Sequence, residues 1–206
     1  MPGIDFVFAI AILIMSVVIH EVSHGYVAER LGDPTARLAG RLTLNPFKHL
    51  DLVGSFIVPI LTFFLGGFIF GWAKPVPYNP YNMRDPRYGG AIVAAAGPLA
   101  NVAIALVFGA LIRFSPVLGL PDAFISIASL VVLLNILLAF FNSIPIPPLD
   151  GSKVLFAFLP YHLHYIQGFL ERYGFFIIIF LIFFLWRFLL PIIFFLFRLV
   201  TGVSFF

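Results

Sequence analysis

The chain has 206 residues, of which 62% are hydrophobic and only 10% charged, with a formal net charge of +3. Soluble domains carry ~25% charged residues, so the composition speaks against a water-soluble enzyme and for an integral membrane protein. The basic residues are scattered singly, which leaves no footprint for nucleic acid, and the absence of cysteine excludes disulfides and thiolate metal ligands.

Sustained apolar runs mark the expected membrane spans. The first covers about Ile4 to Ala28 and contains "VVIHEVSHGY". It lacks a basic leader and a small-residue cleavage site, so it reads as a retained helix. A polar stretch follows, in which the alternation of "ARLAGRLTL" predicts short strands, a small β-hairpin. The second run, Leu52 to Phe70, contains Pro59 and Gly66-Gly67. The segment after it, "GWAKPVPYNPYNMRDPRYGG", holds too many prolines for a helix. Later runs span about Ala91 to Ile112, Ala123 to Phe141 and Phe175 to Phe197. The third of the five opens with "AAAGPLAN" and the fourth ends in "NSIPIPPLDG"; an amphipathic stretch, "PYHLHYIQGFLERY", precedes the last. The expected fold is an all-α polytopic membrane protein: about four transmembrane helices, a re-entrant or fifth hydrophobic segment, and the hairpin, in one domain over residues 1–206.

The costly residues carry the chemistry. His20 and His24 are four apart, ~400° on a helix, so both imidazoles face one way and can hold one Zn²⁺. Glu21 lies ~100° round from His20, placed to touch a metal-bound water rather than to complete the ligand set. This is the H-E-x-x-H arrangement of zinc peptidases. A carboxylate at mid-membrane costs ~2.5–3.5 kcal/mol, which a neighbouring metal explains. A catalytic zinc uses three protein ligands, and the best remaining carboxylate is Asp150, beyond a helix broken by Pro145, Pro147 and Pro148. The bland reading of Asp150 is a cap for the helix that follows; beside the two histidines, the ligand reading is preferred.

These motifs resemble those of the site-2 protease family, the intramembrane zinc metallopeptidases (peptidase family M50). "HEVSH", "GPLAN" at Gly97–Asn101 and "NSIPIPPLDG" at Asn142–Gly151 stand in the family's order. "NPFKHLDLVGS" and "FGWAKPVPYNP" resemble a compact prokaryotic type without a PDZ or CBS domain. The resemblance implies that His20, His24 and Asp150 bind zinc and that Glu21 is the catalytic acid and base. Gly97, Pro98, Asn101 and Asn142 are supporting candidates: tight helix packing explains the first two equally well, and interhelical hydrogen bonds explain the asparagines.

For His24 and Asp150 to meet, the first and fourth runs must end on one side, so one intermediate run does not cross. Leu52–Phe70 is the expected re-entrant segment. One side then holds Arg30, Arg37, Arg41, Lys48, Lys74, Arg84, Arg87, Lys153 and Arg172, and the other Arg113 and Arg198. By the positive-inside rule the active site opens toward the cytoplasm. The expected partners are the lipid bilayer and transmembrane protein substrates, clamped by the strand-like stretches Arg37–Leu44 and Trp72–Tyr78 as an added β-strand. His49 reads as a surface or turn residue, and His162 and His164 as interfacial. The competing functions are a metal transporter, in which the same three ligands form a transit site, and a non-catalytic pseudoprotease.

Overall fold

A computed structural model describes residues 2–58, 60, 61, 64 and 73–203. Among the described residues, four helices are long and apolar enough to cross a membrane: Val7–Arg30, Pro86–Arg113, Asp122–Asn142 and Tyr161–Phe184. They fall within α1 (Pro2–Arg30), α3 (Pro86–Arg113), α5 (Asp122–Asn142) and the helical stretch beginning at Tyr161. Short helices α2 (Thr35–Leu38), α4 (Ser115–Leu118) and α6 (Asp150–Phe158) join them.

The middle of the bundle is α3, which packs against α1, α5, α6 and the C-terminal helix α8 (Trp186–Thr201). Its sequence suits that place. Ala91, Ala94, Gly97, Ala105 and Gly109 are buried along it, and small residues let backbones approach closely where lipid supplies no hydrophobic drive between helices. It starts sharply: the Asp85 carboxylate accepts from the N–H groups of Arg87 and Tyr88, and Pro86 occupies the first turn. The antecedent end, that of α1, closes at Gly32, whose φ of 108° other residues rarely adopt, while the Asp33 N–H turns back to the Ala28 carbonyl (3.0 Å).

The chain leaves α5 at Asn142 and re-enters helix at Asp150. A β-carbon on Gly151 would collide with the Ser143 and Ile144 carbonyls. Glycine there lets α6 fold directly back beneath the end of α5, which sets the depth of Asp150. Beyond it, α7 (His164–Phe180) continues through a π-turn, Leu181–Leu185, into α8, one helical run ending at Thr201 rather than near Phe197.

Two expectations change. Among the described residues there is no strand, so the hairpin is absent. In its place Thr35–Leu38 is a helical turn, held by the Asp33 carboxylate, which accepts from the N–H and hydroxyl of Thr35. Leu38 and Leu44 are exposed while Ala36 is buried and Leu42 half-buried, so the alternate positions do not share one buried face. Residues 73–79 are likewise neither helix nor strand; Pro75 and Pro77 have no N–H to give to a ladder. The second apolar run begins as helix at Leu52, with a π-turn at Val53–Ile57. Pro59, Gly66-Gly67 and Trp72 lie outside the described residues, and so does the question of whether that run crosses.

Candidate metal centre

On α1, His20 and His24 are 5% and 7% exposed, their ring centroids 4.7 Å apart and nearly perpendicular. Asp150, 130 residues from His20, comes to the same point. Its Oδ2 lies 3.0 Å from His20 Nε2 and 3.2 Å from His24 Nε2. Among the described residues no backbone N–H of the first turn of α6 donates to this carboxylate, so it does not act as a cap.

The proton count shows what such a cluster requires. Asn135 Nδ2 donates to the Val131 carbonyl and the Ser16 hydroxyl (both 2.9 Å). Its Oδ1 therefore accepts from Asn101 Nδ2 (2.8 Å), and Asn101 presents its own Oδ1 to His20 Nδ1 (2.6 Å). His20 must donate there, and His24 Nδ1 must donate to the Val93 carbonyl (2.7 Å). A neutral imidazole carries one N–H. Both Nε2 atoms are thus lone-pair sites, facing each other's neighbour and the Asp150 oxygen. With both imidazoles neutral, three acceptors at such separations repel unless a proton or a metal ion lies among them. A tetrahedral zinc with ~2.0 Å bonds has ligand–ligand edges of ~3.3 Å, close to the separations found. The residues fit the ion.

Gly97 completes the cradle. A β-carbon there would stand 2.5 Å from His24 Nε2 and 2.6 Å from His20 Nε2, inside the space a metal would occupy. Pro98 follows, buried, and removes the N–H that the Ala94 carbonyl would otherwise receive. Of the supporting candidates, Gly97 and Asn101 therefore touch the histidines. Asn142 does not: its Nδ2 donates to the Leu138 carbonyl of its own helix (3.0 Å).

Glu21, half-buried, stands beside the cluster; one ligand atom each from His20, Glu21 and His24 lie within 4.8 Å of one another. Its Oε2 accepts from the Val76 N–H (2.9 Å). Several members were not found from sequence. Lys153 Nζ lies 3.5 Å from Asp150 Oδ1, on the side away from the histidines, and 5.4 Å from the Tyr78 ring centroid. Asn135 had a usable signal, a lone amide in the run "LVVLLNILLAF", where a buried polar side chain requires a partner. Val93 and Val76 had none, because they act through the backbone.

The other histidines stay apart. His49 sits in the 3₁₀ turn Pro46–His49 but is buried, not on the surface, its Nε2 donating to the Thr43 carbonyl (2.8 Å). His162 and His164 are exposed at the start of the last helical run.

The model of peptidase family M50 matches residues 8–128 and 119–185. Among curated relatives, "Putative zinc metalloprotease YwhC" of Bacillus subtilis is 36% identical over 186 residues, covering 86% of this chain and 80% of its own length. "Putative zinc metalloprotease Rip2" of Mycolicibacterium smegmatis is 33% identical over 158 residues, 73% of this chain; the match spans 56% of Rip2. No solved structure matches the chain. With an HExxH helix at the head of a match that runs through most of its length, this chain belongs to peptidase family M50, the site-2 protease family, and its cofactor is zinc.

Proposed function

We infer that this protein is an intramembrane zinc endopeptidase that hydrolyses peptide bonds within the transmembrane segments of membrane-protein substrates. His20, His24 and Asp150 would hold the ion. The observation that carries the reading is the convergence of three lone-pair atoms from α1 and α6 at 3.0 and 3.2 Å, with a carboxylate beside them that is not part of the trio.

When bound, zinc supplies Lewis acidity, which brings the pKa of water toward ~7 and polarises a carbonyl. The chain's own groups do the rest. Asn101 and the Val93 carbonyl fix each imidazole's tautomer and plane. Glu21 takes a proton from the attacking water and delivers it to the departing amide nitrogen. One Glu21 oxygen is engaged by the Val76 N–H; among the described residues no hydrogen bond engages the other, which leaves it for that transfer. Arg30, Arg84, Arg87 and Lys153 gather at the end of the bundle where α1 finishes and α3 begins, while Arg113 and Arg198 sit at the other. That asymmetry supports a site opening toward the cytoplasm. A helical substrate must unwind locally there, since its amides are hydrogen-bonded and shielded.

The test is cleavage of a model transmembrane substrate in proteoliposomes by the wild type and Glu21→Gln, with zinc analysis of both. Cleavage by the wild type alone, at equal zinc content, is the expected result. Metal flux without cleavage would mark a transporter, and binding without cleavage by either form a pseudoprotease. Single cysteines placed near Asp33 and near Arg113 test orientation: labelling of the former from outside the cell would overturn the cytoplasmic opening.

A further inference from the structure

The stretch Lys74–Val76 is held in a way that neither packing nor the zinc site requires. Arg41 is 7% exposed, and no carboxylate touches it in a described ion pair. Its Nη2 donates to the Lys74 carbonyl (2.7 Å) and to the Pro75 carbonyl (3.3 Å), while its buried Nε has no partner among the described residues. Burying a guanidinium on carbonyls alone is costly. The Pro75 carbonyl and the Val76 N–H belong to one peptide plane. Arg41 grips its oxygen and Glu21 Oε2 accepts from its nitrogen. A cation on the carbonyl of an amide polarises it and strengthens donation from its N–H. Val76 is also singular in sequence. Pro75 and Pro77 flank it, so it owns the sole N–H between Lys74 and Tyr78. Each residue preceding these prolines is driven to extended backbone, which presets the direction of that N–H. The Lys74 N–H, bound to the His49 carbonyl (2.8 Å), and the Asn79 N–H, bound to Asp33 Oδ2 (2.6 Å), secure the two ends. Val76 itself is 5% exposed and lies against Gly25, one turn from Glu21.

We propose that Arg41 is a positioning residue for Glu21, acting through the Pro75–Val76 peptide plane, so that this segment orients the catalytic carboxylate rather than only receiving substrate. The inference rests on the proton-transfer role given to Glu21 above. It departs from the view of Trp72–Tyr78 as part of a substrate clamp: a clamp sets KM, whereas an orienting donor sets kcat.

The experiment replaces the Val76 amide by an ester (valine to its α-hydroxy analogue), which deletes the N–H and keeps the side chain, and in parallel makes Arg41→Met and Arg41→Lys. Cleavage kinetics and zinc content are read for each. The expected result is a kcat lowered ~10- to 100-fold in the ester and Arg41→Met forms, with KM within about twofold and zinc content unchanged, and partial rescue in Arg41→Lys. A raised KM with kcat intact, or an ester variant as active as wild type, overturns the proposal. Hydrogen exchange at the Val76 amide is read without any cleavage. It should accelerate in Glu21→Ala, which removes the acceptor; unchanged exchange overturns the contact. A wild type that cuts nothing but shows that acceleration would refute the protease reading while leaving the Arg41–Val76–Glu21 contact in place.

Discussion

Two levels of α3 solve different problems with the same kind of residue. Around its middle, Gly97 and Asn101 face α1, and what they meet is polar: two imidazoles and a chain of amides. In the half nearer Arg113, Ala105 and Ile112 join Ala128, Val132, Ile136, Ile193 and Phe197 in an apolar cluster. There Gly109 lies against Val200. A missing side chain makes room for a metal at one depth and for a valine at another. The lesson is that close approach of helices is generic in this bundle, while polar contact is local and marks the site.

The comparison breaks most severely at Glu21, the proposed proton shuttle. Glu21→Gln should lower kcat by ~10²- to 10⁴-fold with zinc retained. Phe197→Ala, in the apolar half, should leave kcat of the folded protein unchanged. Next come the paired glycines. Gly97→Ala puts a methyl among the ligand nitrogens, and zinc content should fall with activity. Gly109→Ala should destabilise the bundle by about 1–3 kcal/mol without loss of zinc, because the side chain it meets is Val200 and not a histidine. Third, Asn101→Leu removes the acceptor of the His20 Nδ1–H and strands Asn135. Zinc affinity, measured by competition with a chelator, should drop ~10- to 100-fold. Phe197→Ala should instead cost about 3–5 kcal/mol of stability with zinc affinity unaltered.

The smallest expected effect concerns Asp33, outside the spans. Burial opposes its ionisation, but hydrogen bonds from Thr35, Asn79 and Asn82 more than offset that and hold its carboxyl below the ordinary value. A depressed folded-state pKa stabilises the native state above the unfolded-state pKa, ~3.9. That contribution is lost as pH falls through the folded-state value. Asp33→Asn should lower stability near neutral pH and flatten its fall below about pH 4, as read by thermal unfolding across that range.

Much of this was legible in the chain. The long apolar runs gave α1, α3 and α5 to within a few residues, since a helix in lipid must satisfy its own backbone and is therefore written as uninterrupted hydropathy. His20 and His24 were legible because a four-residue spacing on one helix is a local fact. The hairpin was misread for a related reason. Alternation marks a strand only when one face is buried, and Leu38 and Leu44 have no such face. His49 does lie in a turn, as its sequence suggests, but its burial is not legible there, because the Thr43 carbonyl it meets is a backbone atom with no side-chain identity.

By itself, then, the sequence determined the membrane class, the HExxH helix, and the short list of carboxylates and amides from which a site had to be drawn. Tertiary structure decided which of them meet. It brought Asp150 across 130 residues onto the imidazoles, joined Asn101 rather than Asn142 to His20, and set a peptide plane between Arg41 and Glu21. The reason is that local periodicity fixes the face of a helix, whereas the depth at which two helices touch depends on where small residues let them close. A backbone donor such as the Val76 N–H carries no side-chain identity that a sequence could reveal.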